Sequence, residues 1–315
     1  MRVVADRHIP YLEEVASSCF ADGRVEWVFL EPQDITREAL MDADALLIRT
    51  RTRCNEALLQ GTKVQFIATG TIGFDQIDTR YCEQHGITWT NSPGCNAQGV
   101  CDYVETVLDK LVHGAANRTL GIVGVGHVGK LVEQMARRRG FHVLLCDPPR
   151  AEKEGPAGFV SLEEIEAKCD IITFHVPLTR EGKHPTWHME TCTHLKPNTL
   201  LINAARGGVI DEQALLKAGN PCVIDTWENE PHASKTLIEH ALLATYHIAG
   251  YTRRGKYNTS QMVVDALFEH FGLPRQVLPG KPEDAPHIWD IDAVSNQLKA
   301  HPENFETLRE TYQLR

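Results

Sequence analysis

Residues 119–147, TLGIVGVGHVGKLVEQMARRRGFHVLLCD, decide the fold. An apolar run at 120–123 enters a glycine-rich turn. A helical pattern at 128–138 follows and closes on Gly140, and a second apolar run at 142–146 ends in Asp147. Gly124, Gly126 and Gly129 form G-x-G-x-x-G between the predicted strand and the predicted helix, which Val128 opens. The first glycine permits the tight turn, the second lets backbone approach a pyrophosphate, and the third lets helix pack on strand. Free N–H groups at the helix start then face the phosphates. Asp147 is placed to accept hydrogen bonds from an adenosine ribose and would repel a 2′-phosphate, so the unit is expected to bind NAD rather than NADP. Arg150 could meet such a phosphate, but Pro148 and Pro149 intervene. The rival reading of the same stretch is a glycine turn that binds nothing.

Short apolar runs alternate with helical patterns along most of the chain, which predicts an α/β fold with parallel sheets. Strand-like runs fall at 2–5, 25–30, 45–48, 64–68 and 87–90, with helices at 11–18 and 55–59. A long helix is expected from Val100, where Val100, Tyr103, Val104, Val107, Leu108, Leu111 and Val112 repeat at helical spacing. After the glycine unit, Ser161 with Glu164 reads as a capping box for a helix through Cys169. Strands at 171–175, 200–204 and 222–226, a helix at 212–218 and a helix at 257–271 complete the pattern. The predicted architecture is two open parallel-sheet, Rossmann-like domains with a cleft between them. Residues 1–95, joined by the helix at 257–271, form a substrate domain, and residues 96–256 form the NAD-binding domain. Residues 274–315, rich in Pro, Asp and Glu before a polar helical stretch at 304–314, read as a short C-terminal appendage, a candidate for dimerisation.

With 315 residues, the chain is long enough for two domains. A formal net charge of −10 opposes binding to nucleic acid or an anionic membrane surface, and any acidic ligand must be held by locally placed arginines. No apolar tract is long enough for a membrane span, and MRVVADRHIP lacks the plan of a secretory signal, so a cytoplasmic protein is expected. Its 9 cysteines are scattered without a C-x-x-C pair, which fits reduced thiols and no metal site.

Three motifs downstream carry chemistry: Arg206 in NAARGGVID, Glu230 in DTWENEP and His247 in ATYHIAGYT. Each follows an apolar run, at the carboxyl end of a predicted strand, where open α/β sheets bind ligands. A nicotinamide enzyme acting on a hydroxy acid needs a cation for the carboxylate and a group near neutral pKa for the hydroxyl proton. Arg206 suits the first task and His247 the second, with Glu230 fixing the tautomer of His247. Taken singly, each has a bland reading as a solvated arginine, a turn carboxylate or a loop histidine.

In this order, GIVGVGHVGK, FHVPLT, NAARGGVID, ENEP and HIAGYT resemble the D-isomer-specific 2-hydroxyacid dehydrogenases. The likeness runs from about residue 1 to 270, with TGTIGFDQID and SPGCNAQGVCDYV resembling the family's substrate-domain loop and interdomain segment. It implies the catalytic roles just given for Arg206, Glu230 and His247. It also resembles one branch of that family whose substrate is a small phosphorylated 2-hydroxy acid. That resemblance implies NAD contacts at Asp147, Val176, Asp225 and Gly250 and substrate contacts at Thr50, Thr71 and Tyr251. Thr50 stands where a serine is usual, which keeps the hydroxyl. In RTRTR, Arg49, Arg51 and Arg53 alternate at a predicted strand end, so Arg49 is expected to face a phosphate; a solvated basic edge is the competing reading. The branch is homodimeric through a sizeable C-terminal domain, and the short segment after about Leu273 leaves that mode of pairing open. Two other functions stay in view: a relative acting on 3-phosphoglycerate or glyoxylate, and an NAD(H)-sensing binding protein without catalysis.

Overall fold

The computed structural model describes residues 1–19, 23–179, 183, 184, 186, 195–282 and 290–314. The chain divides into two compact units, Met1–Asn96 with Thr252–Asp284 and Ala97–Tyr251 with Ala285–Arg315.

The first unit begins β1 (Arg2–Asp6), α1 (Leu12–Cys19), β2 (Glu26–Leu30), α2 (Arg37–Leu40), β3 (Ala45–Ile48) and α3 (Glu56–Leu59). It continues with β4 (Phe66–Thr69), α4 (Thr79–Gln84) and β5 (Thr88–Thr90). Its sheet has the order β2-β1-β3-β4-β5, every pair parallel. β3 and β4 are buried at every position, as strands covered on both faces must be. Thr36, Asn55 and Asp78 each accept a hydrogen bond from the backbone of the helix they precede, a cap that contributes about 1 kcal/mol.

The second unit opens with α5 (Ala97–Leu111), whose face of Val100, Tyr103, Val104, Val107 and Leu108 is buried. There follow β6 (Thr119–Val123), α6 (His127–Arg138), β7 (His142–Cys146), α7 (Pro148–Glu154), α8 (Leu162–Lys168) and β8 (Ile171–Phe174). Then come β9 (Leu200–Asn203), α9 (Glu212–Ala218), β10 (Cys222–Ile224), α10 (Lys235–His240) and β11 (Leu243–Ala244). The sheet order is β11-β10-β9-β8-β6-β7, again parallel throughout. The chain winds one way from β6 to β7 and the other way from β8 onward. The carboxyl ends of β6 and β8 therefore flank the switch point at which such sheets bind ligands. At α8 the Ser161 hydroxyl accepts the Glu164 N–H, but the Glu164 carboxylate pairs with Lys168 instead of closing the capping box.

α11 (Arg253–His270) returns to the first unit, where Tyr257, Val263, Val264, Leu267 and Phe268 pack with Val3, Leu47 and Phe66. It starts before the first apolar residue of the sequence pattern because the Thr252 hydroxyl accepts the Gly255 N–H. Two further helices, α12 (Ile291–Ala300) and α13 (Phe305–Glu310), belong to the second unit. Val294, Leu298 and Phe305 sit in one core with Ile224, Ala244 and Tyr246. The Ser295 hydroxyl accepts the Ala244 N–H at 3.0 Å, which covers the outer strand of the sheet. The segment that composition marks as an appendage thus supplies core side chains, each contributing about 1.5–3 kcal/mol on burial.

Cys54, Cys82, Cys95, Cys101, Cys146, Cys169 and Cys222 are buried thiols. Of Cys19 only the backbone is described, and Cys192 lies outside the described residues. Among the described residues, no helix is long and apolar enough to cross a membrane, and no three His, Cys, Asp or Glu groups gather as metal ligands.

Candidate active site

The glycine turn sits where β6 gives way to α6. Gly124 takes φ +88°, and a Cβ there would lie 2.6 Å from the carbonyl oxygen of His175, just past β8. At Gly129 a Cβ would lie 2.1 Å from the Gly124 carbonyl oxygen, so helix and turn approach as closely as backbone allows. Gly126 is exposed with open space where a side chain would stand, and it caps α6. An open backbone face at a helix start fits a pyrophosphate. Asp147 holds the turn from the end of β7: Oδ2 accepts the Val125 N–H at 2.7 Å and Oδ1 the Arg150 N–H at 3.0 Å. Each oxygen keeps acceptor capacity for a ribose hydroxyl. Arg150 is engaged with Glu154 through Nε and Nη2, with the Val125 carbonyl through Nη1, and over the Phe159 ring. It is therefore not poised for a 2′-phosphate, and the residues present fit NAD. Val128 lies half-buried on α6, and Val176 half-buried beyond β8 against the turn.

Arg206, Glu230 and His247 lie in the loops after β9, β10 and β11, three neighbouring strands of one sheet. His247 Nδ1 and Glu230 Oε2 are 2.8 Å apart, while Glu230 Oε1 accepts the Trp227 N–H at 2.9 Å. With Nδ1–H donating to the carboxylate, Nε2 is the ring nitrogen that can take a proton. Burial pushes the Glu230 carboxyl upward. The bond and charge of His247, the Trp227 N–H and the Arg309 cation outweigh it and hold the group below the usual carboxylate range. Glu212, on α9, faces the same loop and accepts the Glu228 N–H; burial, with Glu228, Asp211 and Glu230 close by, raises it to about 7 despite that bond. Arg206 is exposed, with Nη1 donating to the Ala205 carbonyl. Its loop meets the Glu230 loop at Gly207, where a Cβ would lie only 1.9 Å from the Trp227 carbonyl oxygen. His175 is no rival acid or base: its packing disfavours the charged ring and lowers its pKa to about 3.

His247 has φ +58°, a left-handed conformation uncommon outside glycine. Asp225, 1% exposed, holds that loop in place. Its backbone carbonyl accepts the His247 N–H at 2.9 Å, and its carboxylate accepts the N–H groups of Ile248 and Ala249 at 2.8 and 3.0 Å and the Thr245 hydroxyl at 2.7 Å. Because Thr245 donates to Asp225, Tyr103 must donate to Thr245 across their 3.0 Å contact. The resemblance implies that Asp225 touches NAD; the geometry gives its carboxylate a positioning task beneath the histidine. Gly250 lies in the turn that ends where the Tyr251 N–H meets the Ile248 carbonyl.

In the first unit, Arg49 and Thr50 follow β3 and Thr71 follows β4. The strand ends at Ile48, so the alternation read in RTRTR is not that of a strand: Arg51 and Arg53 are exposed loop residues, while Thr52 is buried. Cys54, next in the chain, is buried and bridges to Ile77. Arg49 donates from Nη1 to the His8 carbonyl, and its buried Nε has no partner among the described residues. Thr50 is exposed. Gln76 ties the two loops, donating to the Arg49 carbonyl at 3.2 Å and to the Thr69 and Thr71 hydroxyls at 2.8 and 3.2 Å. Sequence reading passed over Gln76, Gly207, Tyr103 and Arg309. Gln76, Gly207 and Tyr103 stood inside quoted motifs without a task of their own, and nothing local marks Arg309.

A family model for the D-isomer specific 2-hydroxyacid dehydrogenase NAD binding domain matches residues 103–249. An erythronate-4-phosphate dehydrogenase of Bacteroides thetaiotaomicron is 45% identical over 341 aligned residues, covering 100% of this chain and 97% of that protein. One from Klebsiella pneumoniae is 38% identical, covering 100% of this chain and 92% of the relative. The likeness therefore continues past residue 270 through α12 and α13. Among solved structures, the NAD+-bound 3-phosphoglycerate dehydrogenase of Entamoeba histolytica aligns with a TM-score of 0.69 at 25% identity, over 88% of this chain and 98% of that one. A D-lactate dehydrogenase from Aquifex aeolicus shares the fold, with a TM-score of 0.65 at 23% identity over 86% of this chain and 96% of that one.

Proposed function

The chain belongs to the D-isomer specific 2-hydroxyacid dehydrogenases and is an NAD-dependent oxidoreductase; from that premise we propose that it oxidises 4-phospho-D-erythronate to 2-oxo-3-hydroxy-4-phosphobutanoate. On the branch it resembles, that reaction belongs to pyridoxal 5′-phosphate (vitamin B6) biosynthesis. The observation that carries the reading is the His247–Glu230 pair at 2.8 Å, which joins the loops after β11 and β10 beside the loop of Arg206 after β9.

Gly124, Gly126, Gly129 and Asp147 would hold the dinucleotide, with Val128, Val176 and Gly250 along its course. Bound there, NAD supplies the acceptor for the C2 hydride. Arg206 binds the carboxylate of the substrate and draws charge from C2. His247 Nε2 takes the C2 hydroxyl proton as the C–H bond breaks, and the ionised Glu230 stabilises the imidazolium that results. Tyr251 offers a phenol to the substrate. For the phosphate we propose Arg49, whose buried Nε lacks a partner among the described residues, together with the hydroxyls of Thr50 and Thr71. The reduced, buried thiols support a cytoplasmic setting, and a homodimer is the assembly we propose on the resemblance of the branch.

Absorbance of reduced nicotinamide, followed across a panel of hydroxy acids, tests the substrate. The highest kcat/KM is expected for 4-phospho-D-erythronate. A preference for 3-phosphoglycerate or a glyoxylate-type acid would move the protein to another branch, and turnover of none would favour the NAD(H)-sensing reading.

A further inference from the structure

α13 brings an arginine to the pair that moves the proton. Arg309 Nε donates to the Tyr251 phenol oxygen at 3.2 Å. Its Nη1 lies 3.8 Å from Glu230 Oε2 and 3.6 Å from Glu306 Oε2 on its own helix. Glu230 Oε2 is the same oxygen that faces His247 Nδ1. The helix is well anchored: Phe305 is fully buried, Leu308 and Tyr312 pack on the core, and Tyr312 meets the Tyr246 ring edge-on. The arginine side chain is 29% exposed and the Glu230 side chain 19%, so this cation is not a solvated surface charge.

We propose that Arg309 is a positioning residue of the active site, holding the Glu230 carboxylate against His247 and fixing the phenol of Tyr251 for the substrate. This rests on the reading of His247 and Glu230 as the acid–base pair. The Trp227 N–H restrains one carboxylate oxygen, while imidazole and guanidinium share the other, so the carboxylate has one satisfied orientation. The groups facing it are His247, Arg309 and the like charge of Glu212 on α9 when that group is ionised. Arg309 counters the last of these and favours the ionised carboxylate that His247 requires. Arg309 donates to the Tyr251 oxygen, so this bond does not draw on the phenol proton. The C-terminal segment is then part of the catalytic architecture, although it lies far from the nucleotide motif in sequence.

The test uses R309M and R309K in the full chain. Three quantities are measured: kcat and KM with NAD and 4-phospho-D-erythronate, NAD affinity by fluorescence, and the Glu230 carboxyl titration by carbon-13 NMR in the resting protein. In R309M, kcat should fall by about tenfold or more with NAD affinity within about twofold, and the Glu230 midpoint should move to higher pH. R309K, which keeps the charge and guards against a folding defect, should restore the midpoint but only part of kcat, since one ammonium cannot copy the planar fork. An unmoved Glu230 midpoint in R309M, whether kcat holds or falls together with NAD affinity and thermal stability, overturns the proposal. Should the wild-type protein oxidise no 2-hydroxy acid, the proposed function fails, and the Glu230 midpoint still decides whether Arg309 holds the pair.

Discussion

Gly207 and the Trp227 carbonyl approach so closely that a Cβ on the former would lie 1.9 Å from the oxygen of the latter. This contact locks the loop bearing Arg206 to the loop bearing Glu230. Neither side is a flexible side chain, so any substitution must displace backbone. Gly207→Ala is expected to lose about tenfold or more in kcat/KM and about 1–3 kcal/mol of stability, read by steady-state assay and thermal melting. Retention of both within experimental error would mean the loops are not coupled there.

Asp225 supports the histidine loop from below with three hydrogen bonds to its carboxylate. In Asp225→Asn, one of those acceptors becomes a donor that faces a donor. A loss of about 2–4 kcal/mol is expected, with faster amide exchange at Ile248 and Ala249 ahead of the rest of the sheet. Unchanged exchange at those two amides would count against the positioning task assigned to Asp225.

Glu166 is 4% exposed, and burial, aided by the neighbouring Glu163 charge, raises it to about 7. Its pKa is higher folded than unfolded, so its favourable contribution is complete below the ordinary carboxylate pKa and is lost as pH rises through about 7. Glu166→Gln mimics the protonated form at every pH. The variant should match the wild type near pH 5 and exceed it at pH 8.5 by about 1–3 kcal/mol, in chemical denaturation at the two pH values. Parallel stability at both would place the Glu166 carboxyl in a wetter setting than the structure gives it.

The parts of this fold that local rules dictate were legible in the sequence. Gly124 and Gly129 stand at fixed spacing because a Cβ at either would meet backbone, Gly126 between them keeps the helix start open, and apolar runs located β6, β7 and β8 around them. The residues that hold the site together are less legible, since each acts on a partner distant in the chain. Arg309 reaches Glu230 and Tyr251, Tyr103 reaches Thr245, and Gln76 ties Arg49 to Thr71. No spacing rule marks such pairs. α12 was hidden for another reason: Ile291, Val294 and Leu298 do lie at helical spacing, but the surrounding Pro, Asp and Glu suggested a polar tail. RTRTR misled in the opposite sense, because alternation persisted after the strand had ended at Ile48.

The central claim is that His247 and Glu230 assist removal of a hydride from C2 of a phosphorylated 2-hydroxy acid. It is tested most directly by incubating the protein with NAD and 4-phospho-D-erythronate deuterated at C2, then recording the NMR spectrum of the reduced cofactor. Deuterium at nicotinamide C4, formed by the wild type and lost in His247→Gln, is the expected result. Unlabelled reduced cofactor, or label transfer undiminished in His247→Gln, would contradict it.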